Sequence, residues 1–403
     1  MAGIFEGLKI LDFGWILVGP YNTGYLARNG ATVVKVEAMK RPDAVRLSAP
    51  FKDGKPGVNR SGFFAGLNVN KYSMTLNLNH PKGIDLAKRL VAWADVVSEN
   101  FAPGVMKRWG LGYEELMKIK PDIIMLSCSN QGQTGPQAKR RGFGILLASQ
   151  AGFNAITGWP DKGPNTSYTG YTDFIAPRFA ITALIAALIR RRKTGKGQWV
   201  DLSQLETALQ FLAPVILDYT VNGREGKRIG NSSPCAAPHG AYPCKGEDRW
   251  CVISVFTDRE WLSFCSAIGN PEWIEQPRFA TLLARKRNEK ELNELISQWT
   301  MEHSAEEVMK LLQKAGVPAG VVQNTKDLLE DPQLKSRDYV WWLEHEELGL
   351  YPHIGPCIRL SKTPAEPRTP SPCLGQHTEY VCCEFLRMPD EEFAELVADG
   401  VFD

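Results

Sequence analysis

The sequence has little of what would mark a metalloprotein, a secreted protein or a nucleotide-binding enzyme. Its nine cysteines are scattered at 128, 235, 244, 251, 265, 357, 373, 382 and 383, with no CxxC pair and no Cys/His ligand spacing. That pattern argues against zinc. An odd number of thiols without a secretory signal points to a reducing, cytoplasmic setting, and burial as small apolar residues accounts for all nine. The six histidines (80, 239, 303, 345, 353, 377) show no metal spacing either. Excess charge is also missing, since 47 Lys and Arg face 45 Asp and Glu. Near neutrality excludes a general nucleic-acid binder while leaving room for a local basic site for an anion. The N-terminal "MAGIFEGLKILDFGW" has charges inside its apolar stretch and is not read as a signal peptide. The most apolar segment, residues 174 to 189, is short and carries Pro177 and Arg178, so no membrane span is expected. Gly14, Gly19 and Gly24 do not form G-x-G-x-x-G, and neither a P-loop nor G-x-S-x-G occurs.

What is present is organisation. At 403 residues the chain has ample core for a large and a small domain. "KILDF", "TVVKVE", "SMTLNL", "DVVSENF" and "DIIMLSCS" read as strands alternating with helical stretches such as "TGYLARNG" and "PKGIDLAKRLVAWA". Such alternation predicts an α/β fold, Rossmann-like, with a mainly parallel sheet covered on both faces. Ligands on such sheets bind beyond the carboxyl ends of the strands, which places "DFGWILVGP", "ENFAPG" and "SCSNQGQTGP" on one rim. The texture changes near residue 222, where a stretch rich in Gly, Pro and Ser begins. This predicts a large domain over 1–225, a smaller α+β domain over 226–330, and a segment 331–403 that links back to the large domain. A last amphipathic helix is expected around residues 389 to 399.

"YTDFIAPRFAITALIAALIRRRKTGKGQ" (171–198) puts one carboxylate, Asp173, at the head of an apolar helix that ends in cations. Helix grammar alone explains it: Asp is a preferred N-cap, terminal cations suit the dipole, and "TGKG" ends the helix. The basic run lacks interleaved aromatics and reads as a helix C-terminus rather than a nucleic-acid patch.

Nine phrases in order carry a further reading. They are "LDFGWILVGP…LARNGATVVKVE", "NKYSMTLNL", "ADVVSENFAPGVMKRWGLGYEEL", "SCSNQGQTGP", "TDF…ALIRRRKTGKGQWVDLS", "GN…APHGAYPCKG", "LQKAGVPAGVV", "DPQLKSRDY" and "PSPCLGQHTE". Together they resemble the class III coenzyme A transferases, a family that also includes acyl-CoA racemases. The resemblance covers essentially the whole chain.

The resemblance implies roles. Asp173 corresponds to the nucleophile, which attacks an acyl-CoA thioester to give a mixed anhydride and then an aspartyl-CoA thioester. That role is compatible with a place at a helix head, where an ionised carboxylate is favoured. Asn100 and Phe101, with Arg108 after them, match the CoA-contacting stretch; otherwise they read as a turn with a surface Arg. Ala38 stands where the family has a cation after "KVE", so the phosphate contact shifts to Arg41. Ile16 and Leu17 fall in the adenine or thioester region, and Leu76 in "SMTLNL" joins the same set. Arg141, with Arg140, is either another cation for CoA or part of a solvated turn. Pro177 replaces a common Gly and changes the pocket near Asp173.

The expected activity is transfer of CoA from a donor such as succinyl-CoA to a free carboxylic acid. Trp15, Ile16 and Leu17, with "SSPCAAPHG" in place of a glycine-rich loop, favour a bulky aryl or branched acid such as benzylsuccinate. Racemisation is the alternative within the fold, but Phe143 stands where racemases carry a His and cannot move a proton. A non-catalytic subunit of a heteromeric enzyme is the other alternative. CoA enters as substrate, with no tightly bound cofactor. The resemblance further implies a ring-shaped subunit in an interlocked dimer, with itself or with a homologous chain.

Overall fold

The structure is a computed structural model that describes residues 3–403. Two compact units emerge. The first runs to Asn154 and adds Thr166–Glu225 and Gln333–Asp403; the second comprises Ala155–Asn165 and Gly226–Pro332. Residues 155–165 thus join the second unit, although they precede the sequence boundary at 225.

The first unit is built on six strands: β1 (Lys9–Asp12), β2 (Thr32–Glu37), β3 (Lys71–Thr75), β4 (Val96–Glu99), β5 (Ile124–Ser129) and β6 (Gln198–Ser203). They form one sheet in the order β3-β2-β1-β4-β5-β6, parallel throughout. The inner strands β2, β4 and β5 are buried on both faces, as the largely apolar stretches "VVKV", "VV" and "IML" within them suit. Helices α1 (Val18–Arg28), α2 (Gly62–Leu67), α3 (Pro81–Trp93), α4 (Val105–Arg108) and α5 (Tyr113–Ile119) follow in the first half. After them come α6 (Gly144–Gln150), α7 (Phe153–Ile156, whose last two residues belong to the second unit), α8 (Tyr171–Thr194), α9 (Gln204–Phe211) and α10 (Ala213–Asn222).

By length and composition α8 is apolar enough to cross a membrane. Here Ala176, Ala180, Leu184 and Ala187 are buried with Ile10, Val96, Ile124 and Val18 in a sheet–helix core. The opposite sheet face is covered by Leu86, Leu90 and Val91 of α3, together with Leu396 and Phe402 from the C-terminal segment. That segment includes the expected last helix, Asp390–Ala398. It lies against the β3 edge, where His377 N–H donates to the Ser73 carbonyl at 2.9 Å. Within it, Val340–His345 and Gly349–Ile354 form an antiparallel hairpin where the sequence reading saw only connection.

The second unit packs a three-stranded antiparallel sheet, His239–Pro243, Trp250–Ser254 and Ala319–Val321, against helices. Phe264, Phe279, Leu292, Ile296, Val308 and Leu312 form its core. Three capping boxes, Thr257 with Glu260, Ser304 with Glu307 and Asn324 with Asp327, start helices of this unit. All nine cysteines are free. Cys235 and Cys357 are exposed, which corrects the expectation of burial for all nine.

Candidate active site

Strand order reverses between β1 and β4, the point at which open parallel sheets bind ligands. The loops leaving these two strands meet there. Asn100 takes the Trp15 N–H at 2.7 Å on Oδ1 and donates from Nδ2 to the Trp15 carbonyl at 2.8 Å. Gly14 and Gly19 let the loop fold back, since a Cβ on Gly19 would sit 2.6 Å from the Gly14 Cα and 2.9 Å from Asn100 Oδ1. Ile16 adopts φ +66°, and its N–H is held by Asp43 Oδ1 at 2.9 Å. Asp43 in turn pairs with buried Lys35 at 3.0 Å, whose ammonium also donates to the Gly14 carbonyl at 2.6 Å. Beneath the loop Asp12 accepts from Gly14 N–H, Thr23 Oγ1 and Lys71. Burial pushes the Lys71 ammonium down to about 8, with Asp12 opposing the shift. Every member of this network has a partner, the condition under which buried charge is tolerated and a loop is fixed in one conformation.

Beside the loops lies a cavity of about 390 Å³. Trp15, Phe101, Trp109 and Leu76 wall it, and Arg41 and Arg108 line it as well. Phe101 sits edge-on between two indoles, 5.8 Å from Trp15 and 5.4 Å from Trp109. A bridge between Ala38 and Arg41 turns the chain back, and the Arg41 guanidinium lies 5.9 Å from the Trp15 ring. Aromatic faces with two guanidinium groups suit a ligand carrying a flat heterocycle and phosphates.

Four of the sequence candidates, Arg41, Leu76, Phe101 and Arg108, therefore share one cavity, and Asn100 braces its wall. The others stand apart from that lining. Leu17 is buried with Val45, Phe64 and Leu67, Ile16 is exposed, and Arg141 is exposed on the loop before α6.

Asp173 is not the N-cap of α8. Gly170 occupies that position and Asp173 is the third helical residue. Its carboxylate lies in a cradle of two glycines, Gly144 at the head of α6 and Gly170 at the head of its own helix. A Cβ on Gly144 would lie 2.2 Å from Asp173 Oδ2, and one on Gly170 2.3 Å from it. Only glycine allows this approach at both positions. The carboxyl is 7% exposed, and burial pushes it up to about 6, against hydrogen bonds from the Gln204 side chain and the Gly144 backbone. Such a group is ionised at neutral pH yet poorly solvated, which leaves a carboxylate nucleophilic. Pro177 is the seventh residue of α8, in its second turn. It has no N–H to give the carbonyl of Asp173 four residues earlier.

Gln204, Gly144 and Gly170 were not singled out from the sequence. Gln204 follows Ser203, whose side chain caps α9 by accepting the Glu206 N–H. The S-x-x-E pattern was legible and marks the helix start that delivers Gln204. Phe143, the N-cap of α6, is 59% exposed beside the glycine cradle.

Comparison with known proteins agrees in fold and sequence. The description "CoA-transferase family III" matches residues 5–378. A succinyl-CoA–D-citramalate CoA-transferase of Chloroflexus aurantiacus is 35% identical over 98% of this chain and 97% of its own length. A human succinyl-CoA:glutarate CoA-transferase is 33% identical over 99% of this chain and 90% of its own. The crystal structure of a CAIB/BAIF family protein from Brucella suis superposes with a TM-score of 0.87 at 30% identity, covering 96% of this chain and all of that one.

Proposed function

We infer, from the premise that this chain belongs to CoA-transferase family III and is a CoA-transferase, that its donor is succinyl-CoA and its acceptor a short dicarboxylic acid. The names of the relatives support this donor, and citramalate and glutarate support this acceptor class. Benzylsuccinate, the acid expected from the sequence, is a dicarboxylate with an added aryl group and belongs in the same substrate panel.

The observation that carries the chemistry is the Asp173 carboxylate held against Gly144 and Gly170. In the proposed sequence Asp173 attacks the succinyl-CoA carbonyl, breaking the C–S bond and forming a succinyl-aspartyl anhydride plus CoA thiolate. The thiolate attacks the aspartyl carbon of the anhydride and releases succinate, leaving an aspartyl-CoA thioester. The acceptor carboxylate displaces the thiolate to form a second anhydride. Attack of the thiolate on the acceptor's acyl carbon then gives the new thioester and restores Asp173. Gln204 and the Gly144 N–H are donors for the carboxylate, and they stabilise charge on the aspartyl oxygen during each attack. The cavity between Trp15, Phe101 and Trp109, with Arg41 and Arg108, is the proposed seat of the CoA nucleotide. Racemisation is disfavoured because the residue flanking the cradle is Phe143, which carries no proton.

The proposed assembly is the interlocked dimer of the family resemblance. Helix α10 buries none of its residues within the chain, which supports a partner.

The test is to incubate the protein with succinyl-CoA, quench and map adducts by mass spectrometry. A CoA-dependent adduct on Asp173, and a folded but inactive Asp173→Asn variant, are expected. Transfer activity in freshly purified Asp173→Asn, with deamidation excluded, would falsify the assignment.

A further inference from the structure

A second cavity, of about 350 Å³, opens in the same unit on the side of α1 and α8 that carries Arg28 and Arg178. Two arginines and no acidic residue line it. Arg28 is 8% exposed, yet it takes part in no ion pair among the described residues, and its Nε has no hydrogen-bond partner. Its Nη1 lies 3.3 Å from Nε2 of His353. That imidazole cannot neutralise it, since burial, with the Arg28 charge adding to it, pushes His353 down to about 3. Arg178 reaches the same space, donating from Nη2 to the Tyr21 hydroxyl at 2.8 Å with its guanidinium 4.9 Å from that ring. Tyr25 and Tyr339 add two more phenol side chains to the lining.

A buried guanidinium stays charged at any working pH, and burying it unpaired costs several kcal/mol. Other buried cations of this unit, Lys35, Arg46 and Lys71, each hold a carboxylate at 3.0 Å or less. Arg28 is the exception to that rule, and the cavity beside it is open. We propose that this cavity is a binding site for a small organic acid, whose carboxylate sits on Arg28 and Arg178 with help from the tyrosine hydroxyls. Carboxylate fits the fork of a guanidinium, and Phe63, Leu67 and Phe174 give the ligand's hydrocarbon body an apolar wall that inorganic phosphate would not use. Phe174 follows Asp173 on α8, so occupancy would be felt one residue from the glycine-cradled carboxylate. The site stands on the unpaired cation and does not depend on which acid accepts CoA.

The experiment uses the full chain without CoA. Glutarate, succinate and inorganic phosphate are titrated separately into wild type, Arg28→Met and Arg178→Gln, with thermal shift and calorimetry as readouts. Wild type should be stabilised by the dicarboxylates and not by phosphate at equal ionic strength. Both variants should lose affinity at least ~10-fold, the equivalent of one charge-assisted bond. Arg28→Met should also melt above ligand-free wild type, because it removes an unpaired buried charge; a purely structural arginine would give the opposite sign. The proposal fails if dicarboxylates stabilise all three proteins equally, if none binds wild type, or if phosphate matches them. It also fails if Arg28→Met melts below ligand-free wild type, for then a carboxylate of the protein, in this chain or a partner's, already fills the cavity.

Discussion

Asn100 holds Trp15 by both backbone polar groups, accepting its N–H at 2.7 Å and donating to its carbonyl at 2.8 Å. The clamp joins the loops after β1 and β4 across the point where strand order reverses, so one amide sets the separation of two cavity walls. Asn100→Ala removes both bonds and leaves the Trp15 groups to find water. At about 1 kcal/mol for each bond, the binding of CoA should weaken roughly 10- to 30-fold. The KM for acyl-CoA should rise more than kcat falls, because Asp173 and its cradle are untouched. Asn100→Asp keeps the acceptor and loses the donor, and should fall between the two. Equal KM values in all three proteins would show that the clamp does not shape the CoA site.

Asp173 makes two pH predictions of fixed sign. Its folded value is raised from an ordinary 3.8 to about 6, with burial as the leading cause. In the proposed mechanism the ionised form attacks, so the rate of adduct formation should rise with pH and level off above about 6. Stability runs the other way. A carboxyl with a raised folded value contributes most below its unfolded value and loses that contribution as pH climbs through the folded one. Asp173→Asn does not titrate. It should match wild type below pH 4 and exceed it above pH 7, by up to about 3 kcal/mol from a shift of roughly two units. Denaturant melts at pH 3.5 and pH 8 check this. A variant less stable than wild type at pH 8 would mean that Asp173 stabilises the fold instead of straining it.

The sequence was a good guide where the physics is local. Strands β1 to β5 show as short apolar runs between helical stretches, and α3 shows as an amphipathic stretch with Pro81 in its first turn. It was a poor guide where contacts join distant residues. Gly144 and Gly170 meet around one oxygen, and nothing in either neighbourhood signals that. Asp173 was legible as a helix head, but the cap is Gly170, because the carboxylate is used on another segment. Strand β6 was missed because "QWVDLS" follows a basic helix end and exposes alternate residues as a sheet edge does. The hairpin at 340–354 hid behind its charges: Glu344 lies in its first strand, and Glu346 and Glu347 form its turn. Arg28 ends helix α1 as cations commonly do, and only the tertiary structure shows that its Nε is left without a hydrogen-bond partner.

Arg41 and Arg108 line the aromatic cavity and are exposed, with no ion pair among the described residues to hold them. Cations left unpaired beside aromatic rings are available to phosphates. Arg41→Ala and Arg108→Ala should each weaken CoA binding, roughly tenfold for one charge-assisted contact, and binding to wild type should weaken as salt rises. Dephospho-CoA separates the two roles. The variant that has lost the ribose-phosphate contact should bind CoA and dephospho-CoA equally, while a lost pyrophosphate contact weakens both. Unchanged CoA affinity in both variants would remove these arginines from the site.

Helix α10 has no buried residue, and Ile216, Leu217, Tyr219 and Val221 are 45%, 59%, 57% and 75% exposed. With Phe211 before it, also 52% exposed, this is a larger apolar surface than scattered exposure accounts for. A polar replacement of one such residue in a solvated helix changes stability little, whereas in an interface core it costs several kcal/mol. In the proposed interlocked dimer the chains would have to open before they part, which would make dissociation and unfolding one event. Its apparent stability should then fall by about 1.4 kcal/mol for every tenfold dilution if unfolding is reversible. Secondary structure and sedimentation should report the same midpoint, and Leu217→Glu should yield unfolded or aggregated chain in place of a folded monomer. Native mass spectrometry of protein from its source distinguishes two copies of this chain from a pair with a homologous subunit. A compact monomer active in CoA transfer at nanomolar concentration would defeat the interlocked assembly, and so would a soluble, monomeric Leu217→Glu variant with full activity.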